Sequence, residues 1–190
     1  MQSSPLAVAV GPRSHFYALG AIALWASLAS LGVSLAHVPP FLLTGIALLI
    51  GSVPAWPLWR QWRVPPLTLA LGVYGLFGFH FLLFLALRHA PAVEANLVNY
   101  LWPLLIVVLA PLLLPGLRLR AVHVLAALAG FAGAALAIVG GRELAGGWAW
   151  GYLAAAASAF VWATYSLWTR RVAHFPTAAI GLFGLVSGPL

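Results

Sequence analysis

The chain has 190 residues, 64% of them hydrophobic and 6% charged, with nine basic residues, all arginine, against two acids, Glu94 and Glu143. A water-soluble chain carries about a quarter charged residues, and the uncharged run here from Ser14 to Trp59 spans 46 residues, against roughly 20 needed to cross a bilayer. Soluble classes are excluded, the lack of cysteine removes disulfides, thiolate zinc sites and thiol nucleophiles, and two acids leave almost no room for paired-carboxylate catalysis.

In chain order, the uncharged runs predict six full transmembrane helices, at about 16 to 35, 41 to 59, 67 to 87, 92 to 114, 121 to 141 and 148 to 169. The first is too long for a signal-peptide core, although Ser34, Leu35 and Ala36 offer small residues at cleavage-like spacing. Proline and glycine punctuate the short connections: Pro39 and Pro40, Pro65 and Pro66, Pro91, then Pro115 with Gly116. Prolines 54, 57, 103 and 111 fall inside predicted spans, where neighbouring helices or cavity water must satisfy the freed backbone. From Thr177 to Leu190 only 14 residues remain, about 21 Å of helix at 1.5 Å rise against a hydrocarbon core of about 30 Å. The expectation is an incomplete seventh helix on a chain that is a fragment, with an interfacial or re-entrant segment as the alternative.

Arginine placement predicts orientation. With the N-terminus cytoplasmic, Arg13, Arg60, Arg63, Arg118, Arg120, Arg170 and Arg171 lie inside and Arg88 and Arg142 outside, the bias that sets topology. Scattered between apolar segments, these arginines do not form a nucleic-acid patch. The lack of lysine in an alanine-, glycine- and arginine-rich chain points to a GC-rich bacterial genome, hence to a multi-pass protein of a bacterial inner membrane.

An internal repeat is visible. The stretch from Gly20 to Ser27, with Trp25 at its sixth position, resembles Ala157 to Thr164, with Trp162 at its sixth, 137 residues later. Five spans per unit is an odd number, so the second unit would insert upside down, a recurrent plan among secondary transporters. The predicted fold class is therefore an all-α polytopic membrane protein built as an inverted-repeat bundle. Residues 1–147 would be the first five-helix repeat and 148–190 the beginning of a second.

This layout resembles the EamA type of the drug/metabolite transporter superfamily, whose members have two inverted five-helix repeats. The stretch from Ala86 to Val107, with Glu94, Asn96, Asn99, Tyr100, Trp102 and Pro103, resembles the fourth-helix signature of YddG-like aromatic amino acid exporters. Many members carry a glutamate shortly after that helix, in a Gly-Glu-Arg-Leu-like stretch. Here Leu117 stands in that place, so an anchoring role of that glutamate would not carry over.

Several side chains are candidates for the pathway. A 100° helical step puts Asn96, Asn99, Tyr100 and Pro103 in one arc of roughly 100°, and polar groups of this kind should face the bundle interior. The asparagine amides suit a zwitterion, and Tyr100 and Trp102 suit an aromatic ring or a cationic amine; alternatively the asparagines only bond neighbouring helices. His80, flanked by Phe77, Phe79, Phe81 and Phe84, is either a substrate donor or a satisfied interior histidine. Trp25 and Trp162 either frame the cavity as pseudo-equivalent walls or pack elsewhere. Glu94 lies about 160° around the helix from the asparagine arc and reads either as a gate or coupling group or as a first-turn helix anchor. Gly72, Gly75 and Gly78, like Gly130 and Gly133, predict close helix packing. Trp56, Trp59, Trp62, Trp148 and Trp150 read as interfacial belts.

No metal site is expected, because the remaining histidines, at 15, 37, 89, 123 and 174, lack paired spacing, and no cofactor is implied. Without HExxH, a GxSxG elbow or an aspartate, an enzyme is not expected. The resemblance implies export of amino acids, aromatic or other neutral ones, by alternating access, with the lipid bilayer and a small amino acid as the partners. The alternatives are a half-transporter that works as a homodimer on other small metabolites or drugs, if the chain is natively this short, and a non-transporting accessory membrane subunit.

Overall fold

The computed structural model describes residues 12–140, 144 and 147–190. Arg142 and Glu143 lie outside the described residues. All regular structure within them is helical: α1 (Pro12–Ser34), α2 (Pro40–Ser52) continued by a 3-10 segment (Val53–Gln61), α3 (Pro66–His89), α4 (Ala92–Asn99), α5 (Trp102–Leu113), α6 (Ala121–Val139), α7 (Gly151–Trp168) and α8 (Ala179–Ser187).

The boundaries follow from proline and glycine chemistry. Pro40 and Pro66 occupy first-turn positions, where the missing N–H costs nothing, and each follows another proline that is extended at the cap. At the other end, Gly140 closes α6 with a left-handed φ of 49°, a conformation that disfavours any residue with a β-carbon. The second predicted span changes character at Val53. Pro54 and Pro57 remove two α-helical donors, the chain tightens into 3-10 geometry, and Leu58 leaves helical angles altogether at φ −101°.

The chain is a helical membrane protein. Among the described residues, four helical stretches are long and apolar enough to cross a bilayer: 15–34, 40–61, 66–89 and 92–113. Two of the six expected spans are not among them. The described apolar stretch of α6 covers 121–136, and the 18 residues of α7 include Ser158, Thr164, Tyr165 and Ser166. Position explains the composition of α7. It packs along α3, α4 and α5 and is buried at ten of its residues, so its polar groups meet protein and not hydrocarbon.

Phe79, Leu83, Phe84, Ala86 and Leu87 of α3 interdigitate with Ala95 of α4 and Ala154, Ala155 and Val161 of α7 to form the core. The glycines of α3 make that approach close. A β-carbon on Gly72 would overlap the Phe183 ring of α8, one on Gly75 the Tyr165 ring of α7, and one on Gly78 would meet Val161 Cγ1 at 3.3 Å. Gly130 and Gly133 differ from the expectation, since nothing among the described residues approaches within 4 Å of a β-carbon there. The physical reason is their place on an edge helix: among the described residues α6 packs chiefly on α4 and α5 and shows most of its surface.

Candidate functional site

α4 and α5 together make one predicted span, and the helix breaks between them. Pro103 has no N–H to give to the carbonyl of Asn99, four residues back, and Tyr100 and Leu101 lie in a turn between the two helices. The break lies beside a cavity of about 620 Å³, walled by α1 (Trp25, Leu28, Val33), α3 (Phe79, Leu83) and the α4–α5 region (Asn96, Asn99, Tyr100, Trp102). A volume of this size is within the range that holds small organic ligands.

Five predicted pathway residues, Trp25, Asn96, Asn99, Tyr100 and Trp102, share this wall. Trp25 is 55% exposed and Tyr100 44%, so both rings offer face area to an occupant. Asn99, only 5% exposed, donates from Nδ2 to Ser158 Oγ of α7 at 3.1 Å. Ser158 Oγ in turn donates to the Phe79 carbonyl of α3 at 3.0 Å. Asn96 Nδ2 donates to the Ala92 carbonyl of its own helix at 2.9 Å. Pro103 does not line the cavity.

Two other candidates stand behind the wall. Trp162 meets Trp25 edge-on with ring centroids 5.8 Å apart and leans on Phe79 at 4.9 Å. His80 Nδ1 lies 2.7 Å from the Leu76 carbonyl of its own helix, and its ring sits edge-on to Phe79 at 5.1 Å. Glu94 is on the far side of α4, 9% exposed in the first turn, where it accepts a hydrogen bond from Tyr152 Oη of α7. The belt tryptophans 56, 59, 148 and 150 are exposed, as their interfacial reading requires, while Trp62 is half-buried.

Sequence reasoning missed Phe79 and Ser158. Ser158 carried a signal: it is the lone hydroxyl in the run from Ala154 to Ala159 and lies one helical turn before Trp162, hence on the same face. Among the described residues no group of three or more His, Cys, Asp or Glu side chains is placed to hold a metal ion.

Comparison with known proteins agrees with this architecture. The model of the EamA-like transporter family matches residues 12–139. The curated aromatic amino acid exporter YddG of Ancylobacter novellus is 41% identical, over 90% of this chain and 62% of that protein. A solved structure described as "Crystal structure of protein" aligns with a TM-score of 0.72 at 44% identity, again over 90% of this chain and 62% of the other. The chain therefore spans less than two thirds of the length of the relatives it matches. A family match over most of the chain, joined to an all-helical apolar fold, shows that this protein belongs to the EamA-like transporter family, which consists of membrane transporters and not enzymes.

Proposed function

We propose that the protein is a secondary transporter that exports amino acids, aromatic or other neutral ones, across a bacterial inner membrane by alternating access, its N-terminus in the cytoplasm. The observation that carries this reading is the composition of the 620 Å³ cavity: four aromatic side chains, Trp25, Phe79, Tyr100 and Trp102, and two amides, Asn96 and Asn99, with no charged side chain among the described residues on its wall. Such a lining binds an aromatic ring through its faces and a small polar group through hydrogen bonds. It offers no charge to hold a polyvalent ion. The name of the A. novellus relative points to the same cargo.

In this reading residues 1–147 form a first repeat and 148–190 open a second. The contact between Trp25 and Trp162 supports it, because residues equivalent under a two-fold relation touch each other only near the axis. A broken helix beside a cavity is also a recurrent feature of transporter binding sites. Glu94, hydrogen-bonded across to α7, acts in this reading as a tie at the start of α4.

Trp102→Ala and Asn99→Ala are each expected to cut the flux of labelled tryptophan or phenylalanine about tenfold, equivalent to about 1.4 kcal/mol, without loss of folded protein. Transport by membrane vesicles carrying the natural-length protein is the measurement. Unchanged flux in both variants overturns the site.

A further inference from the structure

We infer that Ser158 is a positioning residue that turns the carbonyl oxygen of Asn99 toward the cavity, so that the pathway recognises the ammonium group of its cargo there and not the carboxylate. The inference rests on reading the cavity as an amino acid pathway, and it goes beyond that reading by naming the end of the cargo that is held.

Proton counting fixes the orientation of the Asn99 amide. A backbone carbonyl only accepts hydrogen bonds, and a serine hydroxyl has one proton to give. Ser158 lies 3.0 Å from the Phe79 carbonyl oxygen, so its proton is committed there. Toward Asn99, 3.1 Å away, Ser158 Oγ can then only accept, and the amide must present its nitrogen. A flipped amide would set two acceptors against each other where Ser158 is 0% exposed, so burial enforces the choice. The oxygen on the other limb of the amide is left to the cavity that Asn99 lines, and no donor among the described residues meets it.

Asn96 repeats the logic by a different route. Its nitrogen is held by the Ala92 carbonyl at 2.9 Å, another group that only accepts, so its oxygen is the remaining end as well. Two amide oxygens on one wall, beside the faces of Trp25, Tyr100 and Trp102, attract an N–H-rich cation. No arginine among the described residues lines the cavity to balance a carboxylate. For Asn99 this polarity emerges only once the partners from α3 and α7 are in place.

The test compares two half-cargoes, tryptamine, which keeps the ammonium, and indole-3-propionate, which keeps the carboxylate. Each is used to compete with labelled tryptophan in membranes and to raise the melting temperature of the purified natural-length protein. Tryptamine is expected to compete about tenfold better than indole-3-propionate, since a site built to bond an N–H rejects an analogue without it. Ser158→Ala frees the amide and should bring the two within about threefold. Equal competition in the unsubstituted protein, or a better showing by indole-3-propionate, overturns the inference and leaves aromatic export standing. An equal weakening of both ligands by Ser158→Ala marks a merely structural serine and also overturns it. If tryptophan does not move while tryptamine alone still raises the melting temperature, the export reading fails and the ammonium site survives.

Discussion

Gly72, Gly75 and Gly78 recur at every third residue of α3, and each receives a different knob: Phe183, Tyr165 and Val161. A methyl group on Gly75 would overlap the Tyr165 ring, a buried side chain with little room to retreat. Gly75→Ala should therefore cost about 1–3 kcal/mol, the range for overpacking, whereas Gly133→Ala, with open space around it, should stay within about 0.5 kcal/mol. Thermal or denaturant unfolding in detergent checks both, and equal effects would show that the glycine spacing has no packing role. At this scale the wall residues of the α4–α5 region were legible, because one helical face collects Asn96, Asn99 and Tyr100 whatever lies opposite. The partners were not legible. Nothing in the sequence near Asn99 announces Ser158, 59 residues away, or the Phe79 carbonyl beneath it. For the same reason His80 and Trp162 shared candidacy with residues they stand behind: periodicity gives a face, and only packing gives its depth.

At the scale of the element, the break between α4 and α5 has the clearest sequence cause. Pro103→Ala restores an N–H that can reach the Asn99 carbonyl, so α4 should extend through Tyr100 into α5 and turn Trp102 away from its present place on the wall. Melting temperature should hold or rise, because a helical bond is gained, while tryptophan flux falls about tenfold as the aromatic wall is re-aimed. Transport and melting measured on the same preparation check this; full flux would show that the break is incidental to the pathway. The 3-10 segment carried a comparable signal in Pro54 and Pro57, although the sequence alone merged it with α2 into one span. α7 was harder, because length and apolarity measure fitness for lipid, and α7 is built for protein surroundings.

For the whole molecule, the arginine bias makes a prediction independent of the cavity. Arg60 and Arg63 precede α3, and Arg88 lies in its last turn, so α3 should run from the cytoplasm outward. Alkaline phosphatase, active only outside the inner membrane, should be inactive when fused after Arg63 and active when fused after His89; the reverse pattern overturns the orientation. The helical membrane fold was legible because composition alone forbids a soluble surface. The arrangement was not, since hydropathy cannot tell which helices are central. Among the described helices α7 buries the most residues and packs on α3, α4 and α5, yet it is not among the four described stretches apolar enough to cross unaided. During synthesis this helix leaves the ribosome after α3, α4 and α5, the described helices it packs along. Until it arrives, the grooves at Gly75 and Gly78 have only lipid to fill them. α7 gains less than its neighbours by entering hydrocarbon alone, so its insertion and its docking against α3 become one event, and the groove of α3 stays open until α7, made after α4, α5 and α6, arrives.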